Sequence, residues 1–192
     1  MKLILASASP RRKELLQTLG IIISEIAPSH IIEQRSSHES PLGYCQRLAH
    51  EKSRALPHQE GLNLAADTIV CKDTAIFEKP LDEQDAYRIL SELSGSWHTV
   101  ITAWELYAPN ENQYRSGYSS SQVLFRNLSQ AEIRSYIHTQ EGKDKAGSYG
   151  IQGKGAALIS SIQGSYSNIV GLPMEDILPA LHSFGITPQE PS

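Results

Sequence analysis

The sequence predicts an α/β protein, in which short apolar strands alternate with capped helices. Two observations near the N-terminus indicate this pattern. Leu3–Ala6 is a four-residue apolar run, which is typical of a short buried strand. Ser9 then occupies an N-cap position and Pro10 the first helical position, where the missing N–H costs nothing. The helix that follows is expected to stop at Gly20, so a strand leads directly into a helix N-terminus.

The same alternation continues along the chain. Helices are predicted where a cap precedes an apolar stripe, and strands where apolar or β-branched runs end in turn residues. The predicted elements are a strand over 21–26, a helix from Pro41, strands over 64–71 and 75–77, a helix over 82–93, long strands over 97–108 and 114–128, a helix opened by a capping box at Ser129, a strand over 156–162 and a last helix after Pro173. Residues 142–155 are rich in glycine and predict a loop or binding rim.

Composition limits the possible classes of protein. A chain of 192 residues with 20% charged and 40% hydrophobic residues suits one folded domain over 1–192. The net charge of −4 gives no reason to expect nucleic acid as a partner. Cys45 and Cys71 provide neither a disulfide framework nor a zinc motif. No run approaches the ~20 apolar residues of a membrane span and none is typical of a signal peptide, so we expect a cytoplasmic protein.

The first turn of the N-terminal helix carries Arg11 and Arg12. Cations at a helix N-terminus oppose the helix dipole, by about 0.3–1 kcal/mol each when exposed. An anion held among the hydroxyls of Ser7 and Ser9, the backbone amides and the guanidinium groups would reverse that cost. The stretch therefore predicts a phosphate site, and the alternative is a solvated basic turn on a surface helix.

Two charged residues interrupt apolar patterns. Lys52 lies four residues after Leu48, on the inward face of its helix, so its ammonium either snorkels to water or meets an anion. Asp67 interrupts the apolar strand over 64–71, and a buried carboxylate is costly unless it is paired or binds a metal. The alternative for Asp67 is a cap at the exposed end of the strand.

Several standard catalytic motifs are absent, including the P-loop, the G-x-S-x-G elbow and H-E-x-x-H. The histidines, His98 among them, show no metal-ligand spacing. The remaining charged and hydroxyl groups fall into a phosphate-seeking set, namely Ser7, Ser9, Arg11, Arg12, Lys52 and Lys79, and a metal-seeking pair, Glu33 and Asp67. A triphosphate bound with a hard divalent cation requires both sets.

Eight segments in order along nearly the whole chain resemble the Maf family of nucleoside triphosphate pyrophosphatases. The segments are Leu5–Arg12, Arg47–Lys52, Ala66–Thr68, Glu78–Pro80, Leu93–Gly95 with His98, Asp144–Gly147, Tyr149–Gly153 and Val170–Pro173. The resemblance implies an α/β fold similar to that of the inosine triphosphate pyrophosphatases. Such a fold has a long mixed sheet flanked by helices, a cleft between two lobes, and often forms a homodimer.

The resemblance also implies a reaction, in which water attacks the α-phosphorus and releases pyrophosphate and a nucleoside monophosphate. This activity would serve nucleotide-pool control or the removal of modified nucleotides. The family's catalytic and phosphate-binding residues fall on Asp67, Ser7, Arg12, Lys52 and Lys79. Family members usually carry Ile-Asp-Glu near residue 32, where this chain has Ile31-Ile32-Glu33. Only Glu33 therefore joins Asp67 as an implied ligand of a divalent cation, which would be Mg²⁺, Mn²⁺ or Co²⁺.

Arg11, Thr68 and Gln152 match the branch of the family that prefers dTTP and UTP over a methylated guanosine triphosphate. The Gln152 amide offers both a donor and an acceptor to the edge of uracil, whereas a glutamate offers acceptors only. The alternative is that Gln152 merely braces its glycine-rich loop. Two other functions stay open from the sequence: a nucleotide-sensing regulator of cell division without turnover, and a phosphatase acting on monophosphates.

Overall fold

The computed structural model describes residues 1–56 and 60–189. Its strands are β1 (Leu3–Leu5), β2 (Glu25–Ile26), β3 (Leu62–Lys72), β4 (Ala75–Phe77), β5 (Trp97–Ala108), β6 (Gln113–Phe125) and β7 (Ile159–Gln163). Within the described residues they form one seven-stranded sheet in the order β2-β1-β3-β5-β6-β7, with β4 paired to β3. β1 is parallel to β2 and β3, whereas β3–β4 and β6–β7 are antiparallel. The predicted α/β fold with a mixed sheet flanked by helices is confirmed.

Within the described residues the α-helices are α1 (Pro10–Thr18), α2 (Pro41–Arg54), α3 (Glu83–Leu93), α4 (Gln130–His138), α5 (Tyr166–Val170) and α6 (Met174–Ser183). Helices α1, α2 and α4 begin where N-cap residues were predicted. Ser40 and Asp82 each accept a hydrogen bond from a first-turn amide, and Ser129 forms the predicted capping box with Glu132. Each cap satisfies an N–H group that the first helical turn leaves open. None of the helices in the described part of the chain is long and apolar enough to cross a membrane.

Some observed elements differ from the prediction. The strand predicted over 21–26 pairs with β1 only at Glu25–Ile26, and Ile21 is buried in the core instead. The strand predicted over 156–162 begins only at Ile159, because a 3₁₀ helix occupies Gly153–Leu158. Helix α5 was not predicted, since five residues are too few to show a helical period.

The first of two compact units comprises Met1–Asp67, Thr102–Ser119 and Gly171–Ser192. Successive residues of a strand face opposite sides of a sheet. The leucines of β1 and of the start of β3 are therefore buried with α1 and α6 on one side. On the other side, Ile4 and Ala65 pack with Leu56, which follows α2. The Asn63 amide donates to the Ser53 carbonyl oxygen at 3.1 Å, so α2 lies against the face of β3 that carries the odd-numbered residues.

The second compact unit comprises Thr68–Ile101 and Ser120–Val170. Apolar residues of α3, β5, β6 and α4 form its core. His98 is buried in this core, where its Nε2 lies 2.8 Å from the Tyr149 hydroxyl and its ring meets Phe125 edge-on. Burial lowers the pKa of His98 to about 4, so the imidazole is neutral near pH 7.

Candidate active site

The chain leaves β1 through Ser7 and enters α1 through Ser9, as predicted. The Ser9 side chain makes no capping hydrogen bond, and the first turn contains no acidic residue. The buried Ser7 Oγ accepts hydrogen bonds from the Ser9 N–H at 3.2 Å and from Arg12 Nη1 at 3.0 Å. Since both contacts use this oxygen as the acceptor, the hydroxyl hydrogen can donate to an anion at the helix N-terminus.

Arg12 is anchored against the protein. Its Nε donates to the Gly171 carbonyl oxygen at 2.8 Å, and its Nη1 donates to Ser7. Burial lowers the pKa of Arg12 from its ordinary value, and the negative charge of Asp67 opposes that shift. Arg11 is half-buried, and its positive charge adds to the lowering of the Arg12 pKa. The interpretation of this turn as merely solvated is therefore wrong for Arg12, because its guanidinium is held by the protein.

Asp67 lies in the interior of β3 rather than at an exposed end, and its side chain is 10% exposed. The strand-end alternative is therefore wrong. Because β1 and β3 are parallel and pair Leu5 with Leu64, the chain that follows β1 runs beside the residues that lead to Asp67. The Ala6 N–H continues this ladder by donating to the Leu64 carbonyl oxygen at 2.8 Å. The register thus brings Ser7, just after the end of β1, alongside the middle of β3, where Asp67 lies.

The Lys52 ammonium connects two carboxylates. Its Nζ lies 2.6 Å from Asp67 Oδ1 and 2.7 Å from Glu33 Oε1. The Lys52 side chain is only 11% exposed, so the snorkelling alternative is wrong and the predicted inward position on α2 is confirmed. Removing one partner of a buried ion pair usually leaves a costly unpaired charge. Loss of any one of the charges of Glu33, Lys52 and Asp67 should therefore affect the other two.

Glu33 reaches Lys52 from the irregular segment between β2 and α2. Arg47 of α2 holds this segment, because its Nη2 donates to the Gln34 carbonyl oxygen at 2.9 Å. The same guanidinium binds both carboxylate oxygens of Glu39, at 2.7 and 2.9 Å. The residue next to Glu33 is thus tied to the helix that carries Lys52. The sequence does not predict this role of Arg47, because one partner is a backbone carbonyl that no side-chain pattern reveals.

Cys45 supports the backbone of Asp67. The thiol is fully buried, and its Sγ donates to the Asp67 carbonyl oxygen at 3.3 Å. Burial raises the pKa of Cys45, and the charge of Asp67 raises it further, so the thiol stays neutral. This contact was also missed, because a single cysteine in an amphipathic helix predicts only core packing.

Glu33 and Asp67 each contact the Lys52 ammonium through a carboxylate oxygen. Carboxylate oxygens are also the hard ligands that Mg²⁺ and Mn²⁺ prefer. Lys52 already shows that a positive charge is accommodated between them. No group of three or more His, Cys, Asp or Glu side chains over 1–56 and 60–189 could hold a metal ion. The two carboxylates are a suitable but incomplete donor set, so a divalent cation here would need oxygens from water or phosphate to complete its coordination.

The other predicted site residues belong to the second unit, and their roles stay predictions. Thr68 follows Asp67 in β3 and is half-buried. Lys79 is exposed just after β4, beside Glu78, whose carbonyl oxygen accepts a hydrogen bond from the Gly147 N–H at 3.2 Å. Gln152 is half-buried at the start of the 3₁₀ helix over Gly153–Leu158, and its side chain makes no capping hydrogen bond there.

Glu141 caps the turn that follows Gln152. Its carboxylate accepts from the Lys154 N–H at 2.9 Å and from the Gly155 N–H at 3.2 Å. Gly153 has a φ of +66°, and a Cβ there would lie 3.0 Å from Glu141 Oε1, so glycine allows this close approach. Glu141 thus braces this loop through backbone N–H groups, and the role of Gln152 stays a prediction.

Several known proteins are similar to this chain over most of its length. Three relatives named dTTP/UTP pyrophosphatase come from Koribacter versatilis, Shewanella sp. and Vibrio cholerae, with 41%, 45% and 42% identity. The alignments cover 97%, 97% and 95% of this chain and 96%, 100% and 98% of the relatives. Among solved structures, a Vibrio cholerae protein is similar with a TM-score of 0.41 at 10% identity, over 94% of this chain and 97% of that one. The family model described as Maf-like protein matches residues 2–184, and the chain therefore belongs to the Maf-like protein family.

Proposed function

We propose that this protein hydrolyses nucleoside triphosphates, with dTTP and UTP preferred, to a nucleoside monophosphate and pyrophosphate. One observation carries the proposal: the buried Asp67 carboxylate is bonded to Lys52, and the register of β1 and β3 brings it near Ser7, to which Arg12 donates beside a helix N-terminus. This arrangement supports a proton acceptor that works beside donors for phosphate oxygens. The names of the relatives, dTTP/UTP pyrophosphatase, support the same reaction.

Asp67 orients the attacking water and accepts its proton. The water oxygen forms a bond to the α-phosphorus, and the bond from the α-phosphorus to the oxygen that bridges to the β-phosphate breaks. The electron pair of that bond leaves with pyrophosphate. The position of Asp67 supports this role, because its carboxylate is largely enclosed and its backbone carbonyl is held by Cys45.

Cationic and hydroxyl groups offset the charge that develops on the phosphates. Arg12 binds phosphate oxygens from its fixed position against Gly171, and Ser7 donates its hydroxyl hydrogen. Lys52 and Lys79 neutralise the pyrophosphate leaving group. Of these four residues, Lys79 has the weakest structural support, since it is exposed beside a strand end.

Glu33 and Asp67 would hold a divalent cation, with Mg²⁺, Mn²⁺ and Co²⁺ as the candidates. Such a cation would neutralise phosphate charge and make the attacking water more acidic. Arg11, Thr68 and Gln152 would select the base. For Gln152, the capping of its loop by Glu141 supports a role toward the ligand, where an amide matches the mixed donor and acceptor edge of uracil and thymine. We further propose that the 192 residues form one catalytic domain, which acts in the cytoplasm and pairs as a homodimer.

Product analysis of the purified protein with UTP and dTTP tests the proposal. Pyrophosphate and the monophosphate are expected in equal amounts when Mg²⁺, Mn²⁺ or Co²⁺ is present. Orthophosphate as the first product would indicate a phosphatase, and tight binding without product would indicate a nucleotide sensor. The sensor is not favoured, because the relatives carry the names of enzymes.

A further inference from the structure

A single ammonium group occupies the position between the two carboxylates that suit a metal. Lys52 Nζ is within 2.7 Å of Glu33 Oε1 and 2.6 Å of Asp67 Oδ1. The Lys52 side chain is 11% exposed and that of Asp67 10%, whereas Glu33 is 43% exposed. The Lys52 ammonium is therefore largely enclosed by the protein, and of its two carboxylate partners only Glu33 is partly exposed to solvent.

A divalent cation would compete with this ammonium. Mg²⁺ holds oxygen ligands at about 2.0–2.1 Å, so it needs the carboxylates that Lys52 already contacts. Two cations in such a partly enclosed space repel each other more strongly than they would in water. Among the described residues, no third His, Cys, Asp or Glu side chain joins this pair to compensate for the repulsion. Metal alone should therefore bind weakly while Lys52 keeps this position.

A triphosphate changes this balance, because it offers Lys52 other anionic partners. Once the ammonium turns to phosphate oxygens, Glu33 and Asp67 become available to a metal that the same phosphates also bind. Arg12 is anchored on Gly171 and Ser7, so it has less freedom to make the same exchange.

We propose that Lys52 is a built-in counter-ion that keeps divalent metal out of the Glu33–Asp67 pair until a triphosphate draws the ammonium away. This inference rests on the proposed function, since it takes the metal and the triphosphate from it. Metal and nucleotide then enter as a pair, and metal without nucleotide finds the site occupied by Lys52.

Binding of Mn²⁺ to the nucleotide-free protein tests the exchange, measured by calorimetric titration and by the electron paramagnetic resonance signal of free Mn²⁺. The variant Lys52→Met removes the competing charge, and its Mn²⁺ affinity should exceed that of the wild type at least tenfold. Lys52→Arg keeps a cation and should bind Mn²⁺ as weakly as the wild type. Lys13→Met removes an exposed charge from α1 and should leave the affinity unchanged.

Two further measurements make the result specific. The double variant Lys52→Met with Asp67→Asn should lose the gained affinity, because one of the two carboxylates is gone. Mn²⁺ should also raise the unfolding midpoint of Lys52→Met more than that of the wild type, since it binds the folded state more tightly. If Lys52→Met does not fold, Lys52→Gln, which keeps a hydrogen-bond donor without charge, takes its place.

Equal or weaker Mn²⁺ affinity of the uncharged variants would overturn the exchange. The failure of the exchange can be told apart from the failure of the proposed function. Wild-type turnover of UTP to pyrophosphate with no gain in the Lys52 variants would reject the exchange alone. A gain in metal affinity in a protein that releases no pyrophosphate would reject the proposed reaction and keep the exchange.

Discussion

Arg47 binds Glu39 through two parallel hydrogen bonds, from Nε to Oε1 at 2.7 Å and from Nη2 to Oε2 at 2.9 Å. The same Nη2 donates to the Gln34 carbonyl oxygen, which is next in sequence to the Glu33 carboxylate. The side chains of Arg47 and Glu39 are 32% and 15% exposed, so the pair by itself adds little to stability. The contacts of Arg47 instead hold the segment that carries Glu33.

Arg47→Ala should therefore raise the metal concentration required for half-maximal activity by about tenfold or more, as loss of a residue that orients a metal ligand commonly does. The free energy of unfolding should fall by less than about 1 kcal/mol. Arg88→Ala is a matched control, because Arg88 also joins two carboxylates, Asp85 and Glu92, on the surface of α3. An unchanged metal requirement in Arg47→Ala would contradict the role of Arg47.

Asp67→Asn should reduce kcat to less than a tenth of the wild-type value, a change of more than about 1.4 kcal/mol in the activation barrier. An amide cannot accept the proton of water and is a poor metal ligand. The backbone of β3 and the Cys45 contact to the residue 67 carbonyl do not depend on the carboxylate, so circular dichroism should stay unchanged. Asp73→Asn makes the same chemical change in the exposed turn before β4 and should leave kcat unchanged. Retention of more than a tenth of kcat would exclude Asp67 as the base.

Lys79→Ala should lower kcat/KM for UTP by about 10²-fold or more, if it removes a contact of about 3 kcal/mol to the transition state. Lys143→Ala removes another exposed lysine of the second unit and should have no effect. Steady-state kinetics of both variants at saturating metal make the comparison. Identical kinetics in the two variants would leave Lys79 an ordinary surface residue.

The proposed base preference leads to a fourth prediction. dTTP and UTP should be hydrolysed at least tenfold faster, in kcat/KM, than dCTP, ATP or GTP. Gln152→Glu should lower kcat/KM for UTP by about 5- to 150-fold, because a buried acceptor facing a carbonyl costs about 1–3 kcal/mol. Glu141 still caps the loop in this variant, so thermal stability should be nearly unchanged. A purine triphosphate at the head of the panel, or an unaffected variant, would contradict the assignment.

The buried His98 predicts a pH dependence of stability. Its pKa is about 4 in the folded state because burial disfavours the charged imidazole, against an ordinary value of 6.5. The unfolded chain therefore takes up a proton below pH 6.5 that the folded protein does not take up until about pH 4. The neutral His98 therefore contributes fully to stability above pH 6.5. The free energy of unfolding falls by about 3 kcal/mol as the pH drops from 6.5 to about 4.

His98→Gln should flatten the fall in the free energy of unfolding between pH 6.5 and pH 4, whatever its effect at pH 7. Denaturant titrations at several pH values measure this slope. His138→Gln changes an exposed histidine of α4 and should leave the slope as it is in the wild type. A slope that is equally steep in both variants would show that His98 does not titrate as its burial requires.

Features that depend on residues close together in the chain could be predicted from the sequence. The caps of α2 and α4, the strand that contains Asp67, and the inward direction of Lys52 all follow from patterns within one or two turns of chain. The resemblance to the Maf family rested on eight such local segments, and the family match over residues 2–184 confirms it. Such patterns predict structure well because the residues that form them belong to a single helix or strand.

Which of these residues come into contact depends on the folded chain and could not be predicted from local patterns. Arg12 is held by the carbonyl oxygen of Gly171, 159 positions away in the chain, and Glu33 reaches Lys52 because Arg47 holds the segment beside it. Cys45 and Glu141 act on backbone groups, which every residue carries and which therefore leave no mark in the sequence. Contacts of this kind depend on strand register and on the packing of a helix against a sheet, and many distant residues set both together.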